Sequence, residues 1–152
     1  MTTDSTAPID PLSLPTEEFA FPGPLRDRLV AAILDGSKTT TTGLAIQYER
    51  EREPLPEAGR RSAVVDSGDR PVCVIEVTSV RVVPLGEVDL AHAQAEGEGP
   101  ITVAEWRTLH EAFWHGEEMR TALGDPAFTV DDTTPVVLES FHVVADLRPA
   151  TG

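Results

Sequence analysis

Residues 36–43 read GSKTTTTG, and the lysine in this run is the only one in the chain; the other eleven basic residues are arginines. A lysine whose ammonium is partly desolvated can act as a base or activate a hydroxyl nucleophile, and threonines supply hydroxyls beside it. A carboxylate nearby would orient the ammonium or carry protons. Strand alternation constrains the partners. Lys38, Thr40 and Thr42 share one face of a regular strand, while Thr39 and Thr41 point the other way. Pairing Lys38 with Thr41 therefore needs non-extended backbone near Gly36. Taken only as structure, the same residues make a helix C-cap, a base favourable to the helix dipole, and a β-branched strand.

Other chemistries are weaker. HEAFWH at 110–115 resembles the two-histidine helix motif of metalloproteases, but its histidines are five apart rather than four. At 100° per residue the rings of His110 and His115 diverge by roughly 140°. His92 and His142 offer no ligand spacing, and Cys73 is the only cysteine, so no metal site is expected. No serine sits in a nucleophile elbow. A phosphate loop needs a strand before it and a helix after it, whereas here the helix comes first. No cofactor motif is present.

The elements that must position Lys38 follow from periodicity. Pro24 opens a helix in which Leu25, Leu29 and Ile33 recur at spacing four, and Gly36 can end it in a left-handed cap. The segment TTTTGLAIQYE then changes to a strand period, with Gly43 predicting a bulge or a close backbone approach. EREPLPEAG is a charged loop, and the alternating charge at 48–53 suits a solvated strand end or loop. RSAVVD and PVCVIEVTSVRVV, joined by SGDR, predict a hairpin. A helical stretch follows around EVDLAHAQAEGEG. Thr102 and Glu105 form a capping-box pattern that opens a helix through WRTLHEAFWHGEEMRTAL, with Trp106, Leu109, His110 and Phe113 on one, core-facing side. VVLESFHVVA at 136–145 is a last strand. Residues 1–20 lack periodicity and read as a disordered or loosely docked tail, residues 21–147 as one α+β domain with a mostly antiparallel sheet, and 148–152 as a C-terminal tail.

Charge divides unevenly. Residues 26–81 balance nine acids against nine bases, whereas residues 82–152 carry thirteen acids and three arginines, within a net charge of −14. Such a field repels duplex DNA or a long phosphate backbone. A nucleic-acid partner would have to be small or meet the arginine-bearing half. No apolar run approaches the roughly 20 residues of a membrane span. With no apolar signal core at the N-terminus, a cytoplasmic location is expected.

The runs LVAAILDGSKTTTTGL, QYEREREPLPEAG, VVDSGDRPVCVIEVTSV, AQAEGEGPITVAEWRTLHEAFW and VVLESFHVV together resemble the longer bacterial type of the ASCH domain, over about residues 21–146. The resemblance implies a PUA-like β-barrel of about five or six strands flanked by helices, with the G-x-K motif lining a cleft. It also implies one of three activities: deacylation of N4-acylated cytidine-type nucleosides, binding of single-stranded RNA, or metal-independent RNA cleavage. Carried over by motif, the catalytic set is Lys38, Thr41 and Glu98, with Glu96 as the alternative carboxylate two residues away. Gly36, Ser37, Thr39, Tyr48 and Arg107 are the candidate substrate contacts. In the RNA-binding reading, Arg50, Arg52, Arg60 and Arg61 would meet phosphates and Tyr48 or Trp106 would stack a base. The chain departs from the family pattern at FAFPGP, at Arg60 and at Pro100.

Overall fold

The computed structural model describes residues 10–97 and 102–148. Five strands form one mixed sheet in the order β1 (Thr16–Glu17), β3 (Arg61–Val65), β4 (Pro71–Pro84), β5 (Pro135–Asp146), β2 (Thr40–Leu44). Only β1 and β3 run parallel. Register shifts between Val74 and Ile75 and between Val77 and Ser79 bend β4, the strand that pairs with both β3 and β5. The sheet is not the closed barrel that was expected. Its two edge strands are only two and five residues long, and among the described residues no ladder joins them.

Helices cover both faces. On one side α1 (Pro24–Asp35) contributes Val30 and Ile33 to a cluster with Phe19, Val64, Cys73, Ile75 and Phe141. On the other, α3 (Leu90–Ala95), α4 (Val103–Trp114) and α5 (Glu117–Leu123) bring Ala93, Trp106, Trp114 and Leu123 onto Val136 and Leu138. The inner half of β5 is thus covered twice, and Val136 and Val137 are both fully buried.

Several elements match local signals. Pro24 stands in the first turn of α1 and Gly36 closes it at φ 87°. Both halves of the Thr102–Glu105 capping box are made. The hairpin turns between β3 and β4 as predicted. Four features differ. Thr16 and Glu17, assigned by sequence to a tail, pair with Ala63 and Val64, and Phe19 is buried. The buried Arg26 side chain holds this segment by donating to the Ala20 carbonyl and to Glu18, and ties it to the hairpin through the Asp66 carbonyl. The segment after β2 coils into a short helix, α2 (Ala45–Arg50), where a strand or loop was expected; Gln47 donates to Glu51 one turn on. Gly43 holds register opposite Val137, so the bulges lie in β4 instead. Finally, His115 and Gly116 split the long helix into α4 and α5. Residues 1–9 and 149–152, with most of the expected tails, lie outside the described residues.

Candidate functional site

Gly36 turns the chain out of α1, and the following backbone is fixed from two sides. Lys38 donates its N–H to the Ala32 carbonyl at 3.0 Å, and Thr39 donates to the Ala95 carbonyl at 2.8 Å. Gly97, at φ +67°, closes the contact from the α3 side. A Cβ there would lie 2.3 Å from the Ser37 carbonyl oxygen, so only glycine lets the two loops touch. The Lys38 side chain folds inward and is 2% exposed. Its ammonium donates to the Thr40 carbonyl at 2.9 Å and the Glu96 carbonyl at 3.4 Å, and stands 3.6 Å from Glu96 Oε1.

Glu96 is the hub. It is 1% exposed, and besides Lys38 its carboxylate accepts from the Trp106 indole N–H (3.0 Å) and the Thr42 hydroxyl (2.5 Å). The ring of His92 approaches Oε2 at 3.2 Å and that of His110 approaches Oε1 at 3.1 Å. Burial alone would raise the pKa of Glu96. Hydrogen bonds from His110 and His92, then the charges of Lys38 and His110, outweigh it and hold the group well below the usual carboxylate range. The ring of His110 lies between two acceptors: its Nδ1 is 2.9 Å from the Trp106 carbonyl and its Nε2 faces the Glu96 carboxylate. It stacks on Trp106 with centroids 4.2 Å apart.

A cavity of about 860 Å³ borders this network and wraps the free edge of β2. Thr42 and Thr40 point to the α3–α4 side, where Thr42 meets Glu96 and His92 and Thr40 donates to the His92 carbonyl. Thr41 points to the other side and is cross-strand to Glu139 on β5; both line the cavity. Glu17 and Tyr48 complete this second wall. Burial, and then the charge of Glu139, pushes Glu17 up to about 7. Burial likewise raises Glu139 and lifts the Tyr48 phenol above its ordinary range.

The fold that carries this site is shared with known proteins. The ASCH domain model matches residues 18–145. The chain belongs to the ASCH domain family. That family has a PUA-like fold and is of RNA-binding type. The solved ASCH domain from Lactobacillus crispatus is 27% identical, with a TM-score of 0.71 over 86% of this chain and 80% of that one. A protein from Enterococcus faecalis, also 27% identical, superposes with a TM-score of 0.77 over 91% of this chain and 80% of its own. A mutant form of the Zymomonas mobilis protein ZmASCH, 12% identical over 90% of this chain and 73% of that one, shares the fold at a TM-score of 0.50. No protein of curated function matches the chain.

Within this ASCH domain, the residues singled out from sequence disperse. Lys38, Thr41 and Tyr48 line the main cavity. Glu98 lies outside the described residues, and Glu96 is the described carboxylate against Lys38. Gly36 and Thr39 border a smaller cavity of about 240 Å³, and Ser37 is exposed with its N–H on Asp35. Arg107 is bound to Glu111 and Asp132 and does not line the main cavity. Arg50 donates to the Leu123 carbonyl and Arg61 pairs with Glu76. Trp106 is fully buried, so it is a donor to Glu96 and not a platform for a base. Sequence reasoning missed His92, His110 and Thr42 as members of the network. Helical spacing held the signal: His92 and Glu96, and Trp106 and His110, are each four apart.

Proposed function

We propose that this ASCH domain protein is a small amidohydrolase that removes an acyl group from the exocyclic amine of an acylated cytidine-type nucleoside. The observation that carries this reading is a buried lysine, held by a buried carboxylate, at the wall of a cavity large enough for such a ligand. In the reaction an oxygen nucleophile adds to the acyl carbonyl, the C–N bond breaks, and the amine leaves with a proton. Lys38, paired as an ammonium with Glu96, supplies positive charge toward the developing oxyanion. Glu96 is too well solvated by donors to be a strong base, so it positions Lys38 and orients Thr42. Thr41, which opens on the cavity, is the candidate nucleophile or water-holding group, and Glu98 the candidate proton carrier.

Among the described residues six glutamates line the cavity against Lys38 and Arg28, which favours an uncharged nucleoside over an RNA phosphate backbone. A non-catalytic RNA-binding module and a ribonuclease would both have to work against that field. The test is a deacylation screen on N4-acetylcytidine and related nucleosides with wild type and Lys38→Ala. Turnover that falls at least about a hundredfold in the folded variant supports the reading. Failure of the wild type to release acid from any acylated nucleoside overturns it.

A further inference from the structure

We propose that Glu139 is a specificity residue of the cavity, reading the N–H donor of an amino-bearing base edge. The inference rests on the nucleoside reading of the site and deepens it. Glu139 is 7% exposed, on the inner half of the sheet's best-covered strand. Among the described residues no group hydrogen-bonds or ion-pairs with its carboxyl. Every fully buried side-chain oxygen in the described structure does have a partner. The Glu139 carboxyl must therefore open on the cavity it lines. A side chain this buried loses most of its water, and an unmatched carboxyl then costs stability unless something else supplies the missing partner.

Its neighbours narrow what that partner is. Glu17 and Tyr48 stand close enough for the charge of Glu139 to raise the pKa of each, and Arg60 is the nearby base that opposes them. A phosphate or carboxylate is repelled here. An ionised carboxylate only accepts, so it matches the exocyclic N–H of an aminopyrimidine or aminopurine edge. An oxo group in place of the amine would bring an acceptor against an acceptor. Thr41, directly cross-strand from Glu139, would then stand beside the amine-bearing part of the base. This is where the reacting C–N bond must lie if Thr41 takes part.

Binding separates this claim from catalysis. Dissociation constants for cytidine, uridine, adenosine and inosine are measured by calorimetry on wild type, Lys38→Ala, Glu139→Gln and Glu139→Leu. Cytidine and adenosine are expected to bind wild type at least about tenfold tighter than uridine and inosine. Glu139→Gln, whose amide can accept or donate at either edge, should bring each pair to near parity, and Glu139→Leu should weaken the amino nucleosides alone. Lys38→Ala should keep the preference, even if no acylated nucleoside is ever turned over. Equal binding of amino and oxo nucleosides by wild type overturns the proposal, as does a preference that survives in Glu139→Gln. Binding of none of the four also overturns it. A protein that deacylates nucleosides but gives any of these results keeps the amidohydrolase reading and loses this one.

Discussion

The two sides of strand β2 carry the same residue type and opposite electrostatic designs. On the α3–α4 side, Thr40 and Thr42 enter a network in which the Glu96 carboxylate is matched by Lys38, Trp106, Thr42 and two histidines. On the other side, Thr41 faces Glu139, a carboxyl buried almost as deeply that makes no hydrogen bond or ion pair among the described residues. Burial alone does not tell the two glutamates apart. What differs is the supply of donors, and it reverses the direction of their shifts: Glu96 is held well below the usual carboxylate range, whereas burial raises Glu139. A matched buried charge holds the fold in one geometry. An unmatched one weakens the fold.

The comparison breaks most visibly in stability. Glu96→Gln removes the charge that answers Lys38 and His110, and its amide brings donors against donors. We expect a loss of about 3–5 kcal/mol in urea unfolding, the range for breaking a buried pair from one side. Glu139→Gln removes no hydrogen bond or ion pair made among the described residues, only the longer-range fields of Glu17, Tyr48 and Arg60, so it should stay within about 1 kcal/mol of wild type or gain. Equal losses for the two variants would mean that Glu139 has an energetic partner, and the contrast would collapse.

A second strain point lies where the network meets the lysine loop. Gly97→Ala places a Cβ against the Ser37 carbonyl and forces a left-handed backbone on alanine. The left-handed conformation alone costs roughly 1–2 kcal/mol, and the clash with backbone adds to it. The sharper readout is local. Hydrogen exchange at the Lys38 and Thr39 amides, which donate to Ala32 and Ala95, should accelerate more than exchange in the β3–β4 hairpin. Uniform acceleration across the sheet would show that the loop contact does not hold Lys38 separately.

What could be read in advance follows the range of the signal. Pro24, Gly36, the Thr102–Glu105 box and the hairpin turn act within a few residues, and each forms where its pattern stands. Strand alternation placed Lys38, Thr40 and Thr42 on one side, the side on which their polar groups meet α3 and Glu96. The misses are long-range. β1 exists because Arg26 docks residues 18–20 and Thr16 finds Ala63, contacts that leave no periodicity in a two-residue strand. Glu96 gathers partners from β2, α3 and α4, so its role could not be seen from its own neighbourhood. Glu139 carries no local mark within the last predicted strand; its place on the cavity wall follows from the pairing of β5 with β2.

The smallest effect, and the finest test of the contrast, is in pH. In the folded chain Glu17 titrates near 7 against an ordinary value of 4.5, through burial and the charge of Glu139. Between those values the native chain holds a proton that the unfolded chain has released. Stability from this group is therefore present at mildly acid pH, declines as pH rises toward 7, and is flat above it. Glu96 runs the other way: its contribution is present above the unfolded value and disappears only as pH falls through its depressed folded one. Unfolding free energies of wild type and Glu17→Gln, measured from pH 4.5 to 8, should therefore diverge across that window in favour of the variant. Parallel curves would show that Glu17 is not titrating in the fold. Glu139→Gln removes one of the charges that raise Glu17, so in that variant the decline should end at lower pH than in wild type. If it ends at the same pH, the charge of Glu139 does not contribute to raising Glu17, and the two carboxyls of the cavity wall do not sense each other.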